Sequence, residues 1–179
     1  MDSALDTSTE RSRLVRGEAA AWTEYYERIY PAMYSYALRR LSSTDSAQDA
    51  VSEALARTVK TIARQNETTA SIEAWSFGIL RHVVADAQRA MYRPHAADVR
   101  TPAEEPDDAL VLASDHDSLR AAFALLSDEE REILELRVVA RLSSEEVASM
   151  LSSTPGAVRM AQSRALVRLR SFYVSQEVS

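Results

Sequence analysis

Four residues near the carboxyl end of the chain have side chains that can contact the edges of DNA bases. When about 100° is counted for each helical residue from Val158, one side of the helix carries Arg159, Met160, Ser163 and Arg164. Arginine can bridge O6 and N7 of guanine or bind phosphate, serine can bond either partner, and methionine can touch a thymine methyl. The pattern therefore predicts a helix that enters the major groove of duplex DNA.

This predicted helix lies in a basic stretch, Thr154 to Arg170, which contains four arginines and no acidic residue. Thr154 is the predicted N-cap and Pro155 the first helical residue, where its missing N–H costs nothing. We expect Arg168 and Arg170 to hold phosphate or face solvent, and we count Thr154 and Arg168 among the contacts with duplex DNA. The opposite side of the helix can pack on a core and consists of Val158, Ala161, Ala165, Leu169 and Phe172.

Two capping boxes mark the starts of the helices that must position this surface. Ser127 is followed three residues later by Glu130, and Ser143 is followed in the same way by Glu146. A Ser-Ser-Thr break then separates the second of these helices from the basic helix. Helix, short turn and second helix form the arrangement that presents the second helix to the major groove. With a short helix over 118–126, four helices are expected in this part of the chain.

Acidic residues are concentrated outside the basic helix. The segment Asp128 to Glu146 holds seven acids against three arginines, so an acidic scaffold would focus positive potential on the basic helix. Residues 98–117 carry seven acids against Arg100, a net charge of −6 that equals the formal charge of the whole chain. Because this segment also contains Pro102 and Pro106, it predicts a flexible, solvated linker between two helical domains.

Three apolar stripes with helical spacing precede the linker. The first runs from Trp22 to Ala37 and predicts a long helix that is kinked or interrupted at Pro31. The second helix is predicted over 46–63 and the third over 72–92. The stripe of the second helix consists of Ala47, Val51, Leu55, Val59 and Ile62. We expect core positions, rather than contacts with nucleic acid, for Trp75, Tyr25, Tyr26, Tyr30, Tyr34 and Tyr36.

The composition favours helix throughout. Glycine occurs 3 times and proline 5 times, while alanine, leucine and arginine are abundant. We therefore predict an all-α protein of two small helical domains joined by the flexible acidic linker. The predicted boundaries are a disordered N-terminus over 1–11, a first domain over 12–93, the linker over 94–115, a second domain over 116–174 and a tail over 175–179.

Several classes of function find no support in the sequence. The chain has no cysteine, His82, His95 and His116 are scattered, and no glycine-rich phosphate loop occurs. These features argue against an enzyme, a metal site and a bound cofactor. Because it has no secretion signal and no apolar run of about 18 residues, the protein is expected to be cytoplasmic, with no membrane partner.

Both predicted domains resemble parts of one known family. The segment "LSDEEREILELRVVARLSSEEVASMLSSTPGAVRMAQSRALVRLR" resembles region 4 of the sigma-70 family, whose helix-turn-helix reads the minus 35 promoter element. Upstream, "RGEAAAWTEYYERIYPAMYSYALRRLSSTDSAQDAVSEAL" and "AWSFGILRHVVADAQRA" resemble region 2. A chain with these two regions and a linker is similar to an extracytoplasmic-function (ECF, group 4) sigma factor, most of all to the sigma D-like members of actinobacteria.

This resemblance implies a transcription initiation factor that binds core RNA polymerase, through the β′ clamp helices and the β flap, and directs it to promoters. It implies promoter DNA as a partner, duplex at the minus 35 element and single-stranded at minus 10. It also implies an anti-sigma factor that holds the protein inactive. Because the segment "AQDAVSEA" matches the polymerase-docking motif of region 2, the residues implied at the polymerase interface are Asp49, Ser52 and Glu53.

The minus 10 contacts implied by the resemblance lie on the third predicted helix and in the loop before it. In the family this part captures a base that is flipped from the melted strand. The matching residues are Arg64, Asn66, Arg81, His82 and Arg89. His82 stands where many members have asparagine, and imidazole lacks the donor–acceptor pair of the amide, so the resemblance does not fix the base preference.

Two turns of the second domain also depart from the family pattern. Ala140 and Arg141 replace the usual glycine of the first turn, and Ser152 replaces the usual glycine before the second. Glycine eases a left-handed backbone, so these turns are expected to be strained or differently shaped.

A stand-alone helix-turn-helix transcriptional regulator is the alternative. It would need no polymerase, and residues 12–93 would form a sensor or dimerisation module. The paired occurrence of "AQDAVSEA" and "WSFGILRHVVADAQR" at the family spacing favours the sigma factor, because a sensor has no reason to carry both.

Overall fold

The computed structural model describes residues 2–64, 71–91 and 113–177, and these residues form helices and turns without a β-strand. The all-α prediction is therefore confirmed. The chain divides into two compact units, Met1–Glu104 and Glu105–Ser179, called here the N-terminal and the C-terminal unit. Most of the predicted linker lies outside the described residues.

The described residues of the N-terminal unit form four helices. They are α1 (Asp2–Val15), α2 (Ala19–Leu41), α3 (Thr44–Thr61) and α4 (Ile72–Met91), and a 3-10 turn over Ile62–Arg64 follows α3. Residues 1–11, which were expected to be disordered, thus belong almost entirely to α1. Leu14 near the end of this helix is buried, and its carbonyl accepts a hydrogen bond from the Trp22 indole at 3.1 Å. This packing ties α1 to α2.

The proline in α2 does not interrupt the helix. Pro31 lies on an exposed side, while Ile29 and Met33 on the other side are buried. Because the missing N–H lies toward solvent, water can satisfy the carbonyl one turn earlier, and the buried neighbours hold the helix together across the proline.

The buried side of α3 differs from the predicted stripe. The residues that pack in the core include Ala47, Val51, Ala54 and Thr58, whereas Val59 is 51% exposed. The predicted stripe advanced by four residues at each of its first three steps, which drifts by about 40° per step in a helix of 3.6 residues per turn. Alternating steps of four and three residues follow the core more closely.

Over residues 113–177, the C-terminal unit forms four helices. They are α5 (Ala113–Ala124), α6 (Asp128–Leu134), α7 (Ser144–Met150) and α8 (Pro155–Glu177), with a π-helical turn, Glu135–Val139, directly after α6. Helix α5 therefore includes the last residues assigned to the linker, and α8 includes part of the predicted tail. One core cluster consists of Leu126, Leu134, Ala165, Phe123, Leu169 and Phe172.

Both predicted capping boxes are confirmed. The Ser127 hydroxyl accepts from the Glu130 N–H, and the Glu130 carboxylate accepts from the Ser127 N–H at 3.0 Å. Ser143 and Glu146 make the same reciprocal pair at the start of α7, with a carboxylate distance of 2.8 Å. Each box satisfies N–H groups that the first turn of its helix leaves unpaired.

Two residues that replace the family's glycines have a left-handed backbone. Arg141 has a φ of 56° and Ser152 a φ of 51°. At the second turn the Ser153 N–H donates to the Ala148 carbonyl at 2.9 Å, which closes the end of α7 in the manner of a Schellman motif. The two turns therefore have the left-handed backbone that glycine adopts most easily, and each carries the steric strain of a side chain in that conformation.

Candidate nucleic-acid interface

The amino end of α8 is fixed by its cap. The Thr154 hydroxyl accepts a hydrogen bond from the Ala157 N–H at 3.2 Å, and Pro155 is the first helical residue, so both predictions are confirmed. Val158 and Ala165 are buried against the rest of the unit. The helix therefore has one fixed side in the core and presents its other side outward.

The outward side carries the four residues predicted to read bases. Arg159, Met160, Ser163 and Arg164 are all exposed, and 62% of Met160 is accessible to solvent. This surface, called the α8 surface below, combines cationic, hydroxyl and apolar groups of the kind that contact base edges.

The two arginines of the α8 surface are held differently. The Arg159 Nη1 atom donates to the Ser144 hydroxyl at 3.1 Å and lies 3.6 Å from the Glu145 carboxylate. Arg164 donates through Nε to the Met160 carbonyl at 3.4 Å, within its own helix. Helix α7 therefore orients Arg159, whereas the hydrogen bond of Arg164 lies within α8.

Arg168 has a partner in the protein. Its guanidinium lies 2.9 Å from a carboxylate oxygen of Glu130, the glutamate of the first capping box. The Ser127 N–H, which donates to this carboxylate, and the Arg168 charge hold the pKa of Glu130 below its ordinary value. Arg168 is thus a link between α8 and the start of α6, and a phosphate would have to share or displace Glu130.

The acidic charge of the scaffold has a local cause in the helix starts. Acidic side chains occupy the first turn of α6, at Asp128, Glu129 and Glu130, and of α7, at Glu145 and Glu146. Negative charge at these positions is favoured by the helix dipole and by the unpaired N–H groups. The charge difference between the scaffold and α8 therefore follows in part from helix capping.

In the N-terminal unit, the three residues assigned to polymerase binding share one side of α3. Asp49, Ser52 and Glu53 are exposed, while Ala50 and Ala54 on the other side are buried. Glu53 forms an ion pair with Arg57 at 2.5 Å, in which both side chains are about half exposed. Such a surface pair is weak and leaves the carboxylate available to a basic partner.

The residues assigned to minus 10 DNA are only partly brought together. His82 and Arg89 are exposed and lie seven residues apart on one side of α4, whereas Arg81 is half-buried beside them. Arg89 is paired with Asp86. Arg64 is exposed at the end of the 3-10 turn, and Asn66 lies outside the described residues.

The aromatic residues divide into two groups. Tyr25 and Tyr36 are buried, as predicted, and Phe77, for which no core position was predicted, is buried too. Trp75 is half-buried, with an indole N–H that has no acceptor in the described part of the chain. Tyr26, Tyr30 and Tyr34 instead stack along the outside of α2, with ring centroids 4.9 and 5.8 Å apart, and Tyr26 is 47% exposed. The core assignment is therefore wrong for Tyr26.

Residues 2–64, 71–91 and 113–177 bring together no group of three histidine, cysteine, aspartate or glutamate side chains suited to a metal ion. Within the same ranges, no helix has both the length and the apolar character of a membrane span.

The chain matches two domains of one family. Residues 25–93 match Sigma-70 region 2, and residues 122–171 match Sigma-70, region 4. The chain is 35% identical to the ECF RNA polymerase sigma factor ShbA of Streptomyces griseus over 174 residues, which is 89% of this chain and 91% of ShbA. It is 34% identical to the ECF RNA polymerase sigma factor SigD of Mycobacterium tuberculosis, over 90% of this chain and 81% of SigD.

A solved structure shows the same fold. The sigma factor RpoE of Bartonella quintana, crystallised with the anti-sigma factor NepR, superposes with a TM-score of 0.66 at 22% identity and covers 84% of this chain and 95% of its own. Both regions match in one chain, and two relatives align with it over most of their length. The chain therefore belongs to the sigma-70 family, as an ECF RNA polymerase sigma factor.

Proposed function

We propose that this protein binds core RNA polymerase and directs it to specific promoters, with the N-terminal unit at the minus 10 element and the C-terminal unit at the minus 35 element. The observation that carries this proposal is the presence of regions 2 and 4 in one chain. A stand-alone regulator is not favoured, because region 2 occupies most of the part that would have to be its sensor. The protein would act by binding rather than by catalysis, in the cytoplasm where the polymerase works.

At the minus 35 element, α8 would enter the major groove with its amino-terminal half. Arg159 and Arg164 are the candidates for guanine, Met160 for a thymine methyl and Ser163 for a base edge or phosphate. Thr154 and Arg168 would contact the DNA backbone at either end of this surface. The buried side of α8 supports the proposal, because Val158 and Ala165 fix which residues face outward.

At the polymerase, the acidic and polar row of Asp49, Ser52 and Glu53 would meet the basic clamp helices of β′, and the C-terminal unit would meet the β flap. Complementary charge of this kind increases the association rate and fixes the register of the contact. Joining two weak binding modules in one chain raises their effective concentration, so neither unit needs high affinity alone.

At the minus 10 element, the captured strand would contact the residues assigned by resemblance, which are Arg64, Asn66, Arg81, His82 and Arg89. Cationic side chains on α4 can follow the phosphates of a single strand. Exposed His82 can stack on a base or donate one hydrogen bond, which differs from an asparagine contact.

An anti-sigma factor is a further proposed partner. The solved structures that share this fold include RpoE with the anti-sigma factor NepR and CnrH with the cytosolic domain of CnrY. An inhibitor that covers the polymerase-binding side of α3 or the α8 surface would keep the chain inactive.

In vitro transcription over a genomic library tests the function. Core polymerase with this chain should start transcripts at sites that share a minus 35 and a minus 10 motif, and core polymerase alone should not. The double variant Arg159→Ala with Arg164→Ala serves as the matched control and should lose the minus 35 motif. If the full chain gives no more specific starts than core polymerase alone, the proposal fails; binding to duplex promoters without initiation would instead favour the regulator.

A further inference from the structure

Three hydroxyl groups from three helices meet in the core of the N-terminal unit. The Tyr25 hydroxyl lies 2.5 Å from the Ser76 hydroxyl and 3.3 Å from the Ile72 carbonyl. The Thr58 hydroxyl donates to the Ala54 carbonyl at 2.9 Å and lies 3.2 Å from the same Ser76 oxygen. Tyr25, Thr58 and Ser76 each have a relative exposure of 0%. They are called the hydroxyl network below.

Packing alone does not require these hydroxyl groups. Phenylalanine, valine and alanine would fill nearly the same space, and a buried hydroxyl is costly unless it is hydrogen-bonded. Burial also raises the pKa of Tyr25, so its phenol stays protonated and can donate. Hydrogen bonds add a constraint on orientation, because apolar contacts tolerate small rotations and shifts of a helix that a hydrogen bond does not.

The network holds the first turn of α4. Ile72, which begins that turn, and Ser76, which directly follows it, accept or share its hydrogen bonds. One turn after Tyr25 on α2, Arg28 forms ion pairs at 2.7 Å with Glu73 in the same turn of α4 and with Glu10 in α1. Helices α1, α2 and α3 are therefore all tied, directly or through Arg28, to the start of α4.

The fixed side of α4 lies opposite its DNA-binding side. At about 100° per residue, His82 and Arg89 lie roughly 120–140° around the helix from Ser76. Gln88 adds one contact near the other end, where its amide donates to the Arg40 carbonyl at 3.1 Å. A rotation of α4 about its axis would move His82 and Arg89 sideways, and the hydroxyl network opposes such a rotation.

We propose that Tyr25, Thr58 and Ser76 are positioning residues for recognition of the minus 10 element. They fix the rotation of α4, so that His82 and Arg89 meet the opened strand in one register. This inference rests on the proposed function, and it adds a specificity-determining role for three residues that touch no DNA.

Two variants of Thr58 separate the effect of its hydrogen bonds from the effect of its packing. Thr58→Val keeps the volume and removes the hydroxyl, whereas Thr58→Ser keeps the hydroxyl and removes a methyl group. The readout is the ratio of transcription from a promoter found in the library experiment to transcription from the same promoter with a substituted minus 10 base. A loss of folded protein lowers both rates equally and leaves this ratio unchanged.

Thr58→Val should lower the minus 10 ratio by about fivefold, the equivalent of one net hydrogen bond, and Thr58→Ser should leave it at the wild-type value. Tyr25→Phe, which removes only the phenolic oxygen, should lower the ratio like Thr58→Val. The corresponding ratio for substitutions in the minus 35 element should stay unchanged in all three variants. An unchanged minus 10 ratio in Thr58→Val and Tyr25→Phe, or an equal loss in Thr58→Ser, would overturn the inference.

Transcription with the wild-type chain distinguishes failure of the proposed function from failure of the positioning role. If wild-type protein with core polymerase shows no discrimination at minus 10, the proposed function itself fails. If it discriminates and the hydroxyl-free variants discriminate equally well, only the positioning role is refuted.

Discussion

Arg168 of α8 and Glu130 of α6 form an ion pair at 2.9 Å, and the same carboxylate completes the capping box at the start of α6. One acidic side chain thus stabilises a helix end and neutralises an arginine of the basic helix. Because of this pair, the acidic charge of α6 limits how far Arg168 of α8 is available to bind a phosphate.

Replacing Glu130 with glutamine should release Arg168 for DNA. Glutamine keeps an acceptor for the Ser127 N–H but carries no charge. Holoenzyme with Glu130→Gln should bind minus 35 duplex more tightly at low salt, and the plot of log affinity against log salt should steepen by up to about 1, because Arg168 would no longer share its charge between Glu130 and a phosphate. Glu129→Gln, an equal charge change in the same helical turn, is the control. Equal slopes in the two variants would show that Arg168 gains no phosphate.

The Glu130 carboxylate should also make stability depend on pH. Its pKa is lowered in the folded state by the Ser127 N–H and by Arg168. The ionised form therefore stabilises the fold above the unfolded-state pKa, and this stabilisation is lost as pH falls through the folded-state pKa. The difference in free energy of unfolding between wild type and Glu130→Gln, measured with denaturant, should shrink as the pH falls from about 7 to about 3. A constant difference over this range would contradict the assignment.

Recognition of DNA bases by α8 should depend on two arginines, and α7 orients one of them. Arg159→Ala or Arg164→Ala should weaken recognition of the minus 35 element by about 1–3 kcal/mol if each contacts guanine with two hydrogen bonds. Ser144→Ala should weaken it in the wild-type background but not in Arg159→Ala, because Ser144 acts through Arg159. Binding of holoenzyme to matched and substituted minus 35 duplexes measures all of these effects. Additive losses in the double variant would exclude the orienting role of Ser144.

Local signals in the sequence predicted much of the C-terminal unit. Capping boxes and the N-cap before Pro155 depend on residues three positions apart, and the two sides of α8 follow from helical periodicity. These features need no knowledge of how helices pack. The π-helical turn after α6 and the pair of Arg168 with Glu130 do need it, because they depend on how α6 and α8 approach each other.

The N-terminal unit shows a limit of helical periodicity as a predictor of which residues are buried. An apolar stripe indicates which side of a helix is buried, yet it does not say that Thr58 and Ser76 belong to that side. Their burial depends on each having a hydroxyl partner on another helix. In the same way, Tyr26, Tyr30 and Tyr34 differ from core tyrosines only by their angle on α2, which the spacing of four residues between them could have indicated.

Relief of backbone strain should stabilise the C-terminal unit. Ser152 has a φ of 51°, which costs a residue with a side chain about 1 kcal/mol relative to glycine. Ser152→Gly should therefore raise the free energy of unfolding by up to about 1 kcal/mol, less the extra entropy of glycine in the unfolded chain. Ser153→Gly, at the next position without a positive φ, should bring only the entropic cost. Denaturant unfolding of both variants measures this, and a lower stability for Ser152→Gly than for Ser153→Gly would refute it.

Charge reversal on α3 should weaken assembly with the polymerase. Asp49→Arg puts a cation into the acidic and polar row that is proposed to meet basic clamp helices, and it stands four residues from both Asp45 and Glu53, so the helix itself is not destabilised. We expect the affinity for core polymerase to fall at least about tenfold, or about 1.4 kcal/mol, with little change in thermal stability. Glu27→Arg, an exposed reversal on α2, is the control for net charge and should bind like wild type. A direct titration of labelled protein with core polymerase measures both variants. If Asp49→Arg and Glu27→Arg lose affinity equally, the effect is one of overall charge and α3 is not the docking surface.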